Sequence, residues 1–372
     1  MNSFNESHVI GLIKRVFSSI NRFFEKSGSE DCVTEKKYLD ILEYIRLSPE
    51  EKSLYDVKSS DHLYENIKNC YQQHLTTGTF NNHLPDILDL NEIYEYLEDD
   101  ISKITFDWMI GFRIAWIITD SLSMAEKIFP YPNRRKELFF IKKFYEKIND
   151  LGNLLFRINN YDIQLKSVQD IYFLNETWIY ENYMFDSMCS PQKGDVVIDA
   201  GAYIGDSSIW FAQKVTWSGK VYAFEMDQAN AEYLNKNIIK NQLDGIVKIQ
   251  NNGLWDSKTK LFAKRNEFAS SCCECEGDFK FEAISLDLFV KKEKLQRIDF
   301  IKMDIEGAEI MALNGSKSII KKFKPKLAIA VYHKSRDIIE IPKLLKCFVP
   351  EYKICLSHKL NMPVDTLIFA RI

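Results

Sequence analysis

The chain has 372 residues, of which 46% are hydrophobic and 27% charged, and a formal net charge of −4. That content fills ordinary cores in one or two domains, while the lack of basic excess argues against nucleic acid as a partner. Eight cysteines in no disulfide framework, with no secretory leader before them, point to a reducing, cytoplasmic setting.

In chain order, residues 9–24, "VIGLIKRVFSSINRFF", place Ile10, Ile13, Phe17, Ile20 and Phe24 on one helical face and Lys14, Arg15 and Arg22 elsewhere. Packing on the rest of the chain is expected there rather than peripheral membrane contact. "KKYLDILEYIRL" then stops before Ser48 and Pro49, and "SDHLYENIKNCYQQHLTTG" runs from a cap at Ser60 or Asp61 to Gly78. "LPDILDLNEIYEYLEDD" continues the helical pattern. "FDWMIGFRIAWIIT", from Phe106, carries Asp107 and Arg113 and is too short to span a membrane, so it predicts a core helix. After Pro130 and Pro132 comes "KELFFIKKFYEKINDL". Residues 1–160 therefore read as a mainly α-helical domain without a chemical motif. Its aromatic residues, Trp108 and Trp116 among them, read as core rather than as sugar-stacking platforms. No feature fixes an oligomeric state.

From Tyr161 the pattern changes. "YDIQLKSV" alternates as a strand does, "NETWIYENYMFDSM" starts a helix at Asn175, and "SPQKGD" turns the chain into "VVIDAG". Short β-like runs then alternate with helical ones as far as "KLAIAVYH", which predicts an α/β domain over residues 161–372 with a mostly parallel sheet. "YKICLSHKL" and "DTLIFARI", with a turn at Pro363, suit an antiparallel C-terminal edge.

"VVIDAGAYIGDSS", Val196 to Ser208, combines a buried strand, Gly201 and Gly205, and a helix start. A glycine loop after the first strand lets a ligand approach the backbone. The spacing is G-x-x-x-G rather than the G-x-G-x-x-G of pyrophosphate sites, which disfavours an NAD oxidoreductase. Asp199 and Asp206 would also sit unfavourably beside a phosphate. A cationic ligand fits better, and S-adenosylmethionine carries a sulfonium and an ammonium but no phosphate. Glu225, which ends "VYAFE", is the acid expected to accept the ribose hydroxyls.

Four stretches carry a family resemblance: "VVIDAGAYIGDSS", "VYAFEMD", "FIKMDIEGAEIMALNGS" and "LAIAVYHKSRDIIEIPKLL". Residues 161–372 resemble an FkbM-type methyltransferase domain, in the class I (Rossmann-like) S-adenosylmethionine-dependent fold. The third stretch, with Asp304, Glu306, Gly307 and Glu309 in the family's order, is the most specific. The resemblance implies that Asp199, Gly201 and Gly205, with Ala202, Tyr203, Asp206 and Ser207 between and behind them, cradle the methionine part. It assigns Glu225 and Met226 to the ribose, and Asn252, Gly253 and Leu254 of "NNGLWD" to the adenine. Asp304 borders the cofactor. Tyr203 stands where related loops often have a glycine.

Methyl transfer needs an acceptor aligned with the sulfonium methyl, and a hydroxyl benefits from a base. His333, after the "KLAIAVY" run, is the candidate, with Lys334 beside it to orient an acidic group. Asp304 and Glu306 end the preceding strand and could share a proton, bind substrate hydroxyls or hold a cation. No spacing rule establishes a metal with His333, and none is assigned. Glu309, one helical step on, reads as a loop-bonding group. Cys272, Cys273 and Cys275 lack the second pair that a zinc site requires. By resemblance their insert comes near the cofactor, so Ser270 or Ser271 could touch it. The expected function is O-methylation of a hydroxyl on a glycan, nucleotide-sugar or secondary metabolite. The alternatives are N- or carboxyl methylation, and a cofactor-binding module without turnover in a glycan-assembly complex.

Overall fold

The computed structural model describes residues 87–119, 148–185, 187, 189–265, 270–273, 276–334, 336–359 and 365–372. The segment 9–24 and the helices expected before residue 86 and around 136–151 fall wholly or mostly outside them. The chain divides into two compact units, Met1–Arg134 with Lys334–Ile339, and Arg135–His333 with Glu340–Ile372.

In the first unit, α1 (Ile87–Tyr96) and α2 (Asp100–Thr119) follow the two described helical patterns. Leu90 and Ile93 of α1 and Phe106, Trp108, Ile110 and Phe112 of α2 are buried, so α2 is a core helix and Trp108 a core residue. Among the described residues no helix is long and apolar enough to cross a membrane.

Among the described residues the second unit opens on an antiparallel meander of β1 (Ile148–Asp150), β2 (Leu155–Ile158) and β3 (Tyr161–Gln164). Ile158 and Ile163 bury into the same cluster as Val197 and Phe211 of the main layer. Helical turns over 168–179 follow, closing with a π turn at Asn175–Ile179. The helix expected to start at Asn175 is thus the end of a segment that starts earlier.

The main layer alternates strand and helix: β4 (Val196–Ala200), α3 (Asp206–Val215), β5 (Lys220–Phe224), α4 (Gln228–Lys240) and β6 (Val247–Gln250). A second, four-stranded sheet is then inserted from β7 (Gly253–Leu254), β8 (Thr259–Arg265), β9 (Ser270–Cys273) and β10 (Phe279–Ile284). The main layer resumes with α5 (Leu286–Glu293), β11 (Phe300–Met303), α6 (Glu309–Asn314), α7 (Lys317–Phe323) and β12 (Lys326–Ala330). It ends with α8 (Asp337–Phe348), β13 (Lys353–His358) and β14 (Thr366–Arg371). The meander is tied to α4 by two asparagines whose amides imitate a strand edge. Asn237 accepts from the Gln164 N–H at 2.8 Å and donates to its carbonyl at 3.0 Å, and Asn241 does the same for Asp162.

The seven-stranded sheet runs β13-β14-β12-β11-β4-β5-β6. Strands β6, β5, β4, β11 and β12 are parallel, and β14 is antiparallel to both of its neighbours. This is the class I methyltransferase order. The antiparallel strand is one place in from the edge, because β14 inserts between β12 and β13. β4 and β11 are buried on both faces, as parallel strands covered by helices must be, which explains their unbroken apolar runs. The strand order reverses between β4 and β11, and ligands of open α/β sheets bind at that switch point, beyond the carboxyl ends of the strands.

Candidate active site

The loop after β4 is built to be rigid. Gly201 sits at φ +83°, and its amide and that of Ala202 both donate to the Phe224 carbonyl, at 3.1 and 3.0 Å. Gly205, at φ +93°, donates to the Ala202 carbonyl and caps α3. Tyr203 itself takes a positive φ of 47°, and its amide donates to Glu225 Oε2 at 2.9 Å. From below, the ammonium of Lys302 donates to the carbonyls of Ala200 at 3.1 Å and Gly201 at 2.7 Å. It also lies 3.4 Å from Asp199 Oδ1, an ion-pair contact.

Asp199 corrects the sequence reading. Its side chain is 0% exposed, and Oδ2 accepts from the hydroxyls of Ser207 at 2.8 Å and Ser208 at 2.6 Å. It ties the loop to α3 and Lys302 from beneath and does not line the cleft. Ala202 and Gly205 likewise shape the loop without reaching the cleft.

The cleft above the loop spans about 1010 Å³, part of it open to solvent. Gly201, Tyr203, Asp206 and Ser207 form its floor, and Glu225 with Met226 flanks it from the end of β5. Glu225 Oε1 accepts from the Asp227 amide at 2.9 Å, so both carboxylate oxygens are oriented by backbone and keep lone pairs for a ligand. At one end lie Asn252, Gly253 and Leu254, as expected, joined by Trp255 and Phe281. Gly253 is obligatory there: a Cβ would come within 2.5 Å of the Phe281 ring.

The other end gathers residues that sequence reasoning missed. Phe173 and Glu176 come from the 168–179 segment, Tyr183 from the chain just after it, and Tyr332 and Asp365 from beyond β12 and before β14. Asp304 and Glu306 line the same cleft. Tyr183 donates to Asp304 Oδ2 at 3.0 Å and Tyr332 to Asp304 Oδ1 at 2.9 Å. Asp365 is hydrogen-bonded by the Tyr172 hydroxyl. β9 continues the inserted sheet opposite β8, which places the backbone of Ser270, Ser271, Cys272 and Cys273. Their side chains, and all of Cys275, lie outside the described residues.

Burial dominates the electrostatics. It pushes the carboxyl of Glu225 up to about 7, against the amides of Asp227 and Tyr203 that favour its ionised form. It raises Asp206 to about 6 despite the Thr177 hydroxyl, and Asp365 to about 7. Glu176 is raised by burial and then by the nearby charge of Asp304.

His333 does not line the cleft. Its Nδ1 is 2.9 Å from Glu309 Oε1, and Nε2 lies 3.5 Å from Asp304 Oδ1 and 3.8 Å from Glu306 Oε2. Burial alone would lower its pKa, but Glu309, Asp304 and Glu306 together hold it up at about 9. An imidazole enclosed by three carboxylates and absent from the cleft lining does not act as an open base, so the expected role of His333 is corrected to a group behind the site. Glu309 is the loop-bonding group expected: 0% exposed, it accepts from the Ile305 amide at 2.8 Å as well as from His333. Lys334 is exposed.

Residues 199–348 match the model of the Methyltransferase FkbM domain. Among curated proteins, the protein-L-isoaspartate O-methyltransferase of Aeropyrum pernix is 39% identical over 62 residues, 17% of this chain and 24% of that protein. Among solved structures, methyltransferase FkbM from Methylobacillus flagellatus is 20% identical with a TM-score of 0.49, over 76% of this chain and 58% of that one. Aeropyrum pernix fibrillarin, solved with natively bound S-adenosylmethionine, is 11% identical with a TM-score of 0.32, over 48% of this chain and 67% of that one. The chain thus spans about a quarter of the curated relative it matches.

Proposed function

From the match of residues 199–348 to the Methyltransferase FkbM domain, we propose that the protein is an S-adenosylmethionine-dependent methyltransferase that transfers the cofactor's methyl group to a hydroxyl of a glycan, nucleotide-sugar or secondary metabolite. The observation that carries this reading is the charge of the cleft. Six carboxyl side chains line it, those of Glu176, Asp206, Glu225, Asp304, Glu306 and Asp365, and among the described lining residues the basic one is Lys302. Lys302 is 2% exposed and already engaged with two carbonyls and Asp199. A dinucleotide's pyrophosphate would meet uncompensated negative charge, whereas a sulfonium and an ammonium meet partners. Gly201, Tyr203, Asp206 and Ser207 would hold the methionine part, Glu225 the ribose, and Met226, Leu254 and Phe281 the adenine. Asp304 and Glu306 face the remaining space and are the groups placed to hold the acceptor hydroxyl. The buried thiol of Cys189, bonded to the Leu327 carbonyl, suits the cytoplasmic setting we assign.

Calorimetric titration with S-adenosylmethionine and its demethylated product tests the reading, beside Glu225→Ala and an NAD control. Micromolar binding should weaken at least about 100-fold in the variant, since two charge-assisted hydrogen bonds of about 1.5–3 kcal/mol each are lost. No binding by the unaltered chain, or a preference for NAD, would remove the proposal.

The same titration should depend on pH. Glu225 and Asp206 have raised pKa values of about 7 and about 6. Below those values Asp206 offers the cation no charge and Glu225 accepts only weakly from the ribose hydroxyls; above them both are ionised and do so fully. Affinity should therefore rise by about tenfold from pH 6 to pH 8, with net proton release. Affinity flat across this range would show that neither carboxyl meets the cofactor's charge.

A further inference from the structure

We propose that His333, Asp304 and Glu306 form a site for a divalent transition-metal cation in the wall of the cleft, with Glu309 as the group that orients the histidine. The observation that sets this cluster apart from an ordinary acidic patch is the second ring nitrogen of His333. The side chain is 9% exposed, and Nε2 has no hydrogen-bond partner. Its 3.5 Å separation from Asp304 Oδ1 is too long for a hydrogen bond, and a buried polar nitrogen left so is costly. Three donors around one ion at about 2.0–2.2 Å stand about 3–3.5 Å apart. Asp304 Oδ1 already meets that spacing from Nε2, whereas Glu306 Oε2 lies 3.8 Å from Nε2 on a side chain 36% exposed and has to swing toward Asp304 to complete the set.

The surroundings are those of a ligating histidine. With Nδ1–H donating to Glu309 Oε1 at 2.9 Å, a metal-bound His333 would direct its Nε2 lone pair at the two carboxylates, the carboxylate–histidine–metal arrangement. Glu309 is itself fixed by the Ile305 amide. Asp304 is held by the Tyr332 and Tyr183 hydroxyls, one on each oxygen. One ligand atom from each of Asp304, Glu309 and His333 lies within 4.8 Å of the others, so the histidine, its orienting carboxylate and the first carboxylate ligand are already gathered, and Glu306 is the ligand that has to close in. Three carboxylates around one imidazole also leave a negative excess that a dication offsets.

One nitrogen and two carboxylate oxygens suit Mn²⁺, Co²⁺ or Zn²⁺ better than Mg²⁺ or Ca²⁺, which favour oxygen throughout. Asp304 and Glu306 line the cleft, so the remaining coordination positions would open toward it, for water or an acceptor hydroxyl. That last use rests on the methyltransferase reading; the metal site does not.

The test is titration of the chelator-stripped full chain with Co²⁺ in the absence of any cofactor, followed by its visible absorption. One equivalent should bind with the spectrum of a nitrogen- and oxygen-ligated ion. His333→Gln and Glu306→Gln should each weaken binding at least about 100-fold, and Glu309→Gln by about 10–100-fold. Glu306 is 36% exposed, so its variant should keep the wild-type circular dichroism and melting and decides the matter if His333→Gln does not fold. No Co²⁺ binding by the wild-type chain, or binding unchanged in Glu306→Gln, overturns the site. Because no cofactor is present, that failure would leave the S-adenosylmethionine reading standing.

Discussion

Lys302→Met is expected to destabilise the sheet unit by about 3–5 kcal/mol, since removing one partner of a buried ion pair strands the other. The ammonium is 2% exposed and the Asp199 carboxylate 0% exposed, so water cannot replace the lost charge. Burial opposes the charged form of Lys302, but Asp199, Asp304, Asp206 and Glu176 more than offset this and raise its pKa. Methionine fills the stem's volume but leaves the carbonyls of Ala200 and Gly201 without their shared donor. Scanning calorimetry should show the unfolding temperature of that unit fall by about 6–20 °C. Adding Asp199→Asn should recover part of the loss, because the stranded charge is then gone. A single variant that melts within a degree or two of wild type would mean that the lysine is not the support of the loop.

Lys302 also shows what the sequence carried and what it hid. The strand run "FIKMD" reads correctly as buried, and a lysine inside such a run is itself a signal, because a central parallel strand accepts a charge only when it is paired. Its partners were not legible: they lie on β4, about a hundred residues away. The sheet order, the two glycines and Glu225 were readable because short local patterns encode them. Asp199 and His333 were misassigned for one shared reason, that a motif gives a side chain's place in the chain but not the face it points to. Beyond β12 the rings of Tyr332 and His333 lie 4.2 Å apart and both approach Asp304 Oδ1, yet Tyr332 rather than His333 lines the cleft. Phe173, Glu176 and Tyr183 precede the first motif and carry no spacing of their own; only the tertiary fold brings them to the cleft, Phe173 against Tyr203 and Tyr183 against Asp304. Phe281 reaches the end of the cleft lined by Gly253 and Leu254 through the pairing of β10 with β7, which the irregular insert concealed.

Gly201→Ala should abolish cofactor binding. A Cβ built on Gly201 falls 1.9 Å from the Asp304 carbonyl oxygen, a backbone atom that cannot rotate away, and the residue's φ of +83° disfavours any L side chain. Relief requires the loop to lift off β11, which breaks the Lys302 contact beneath it and moves the amide of Tyr203 away from Glu225. Both cofactor-facing features then shift together. Affinity for S-adenosylmethionine should drop at least about 100-fold, since displacing an aligned site by about 1 Å has effects of that size. Two further glycines grade the argument. At Gly205 the added methyl meets Leu234 Cδ1 at 2.6 Å, the tip of a flexible side chain, at a φ of +93°, so binding should weaken less. At Gly245 nothing lies within 4 Å, and alanine should bind as wild type does. The order Gly201 far below Gly205, and Gly205 below Gly245, in titrations of the three alanine variants would establish that the close approach of the loop to β11 is what shapes the site. Equal affinities across the three would show that the loop yields at little cost.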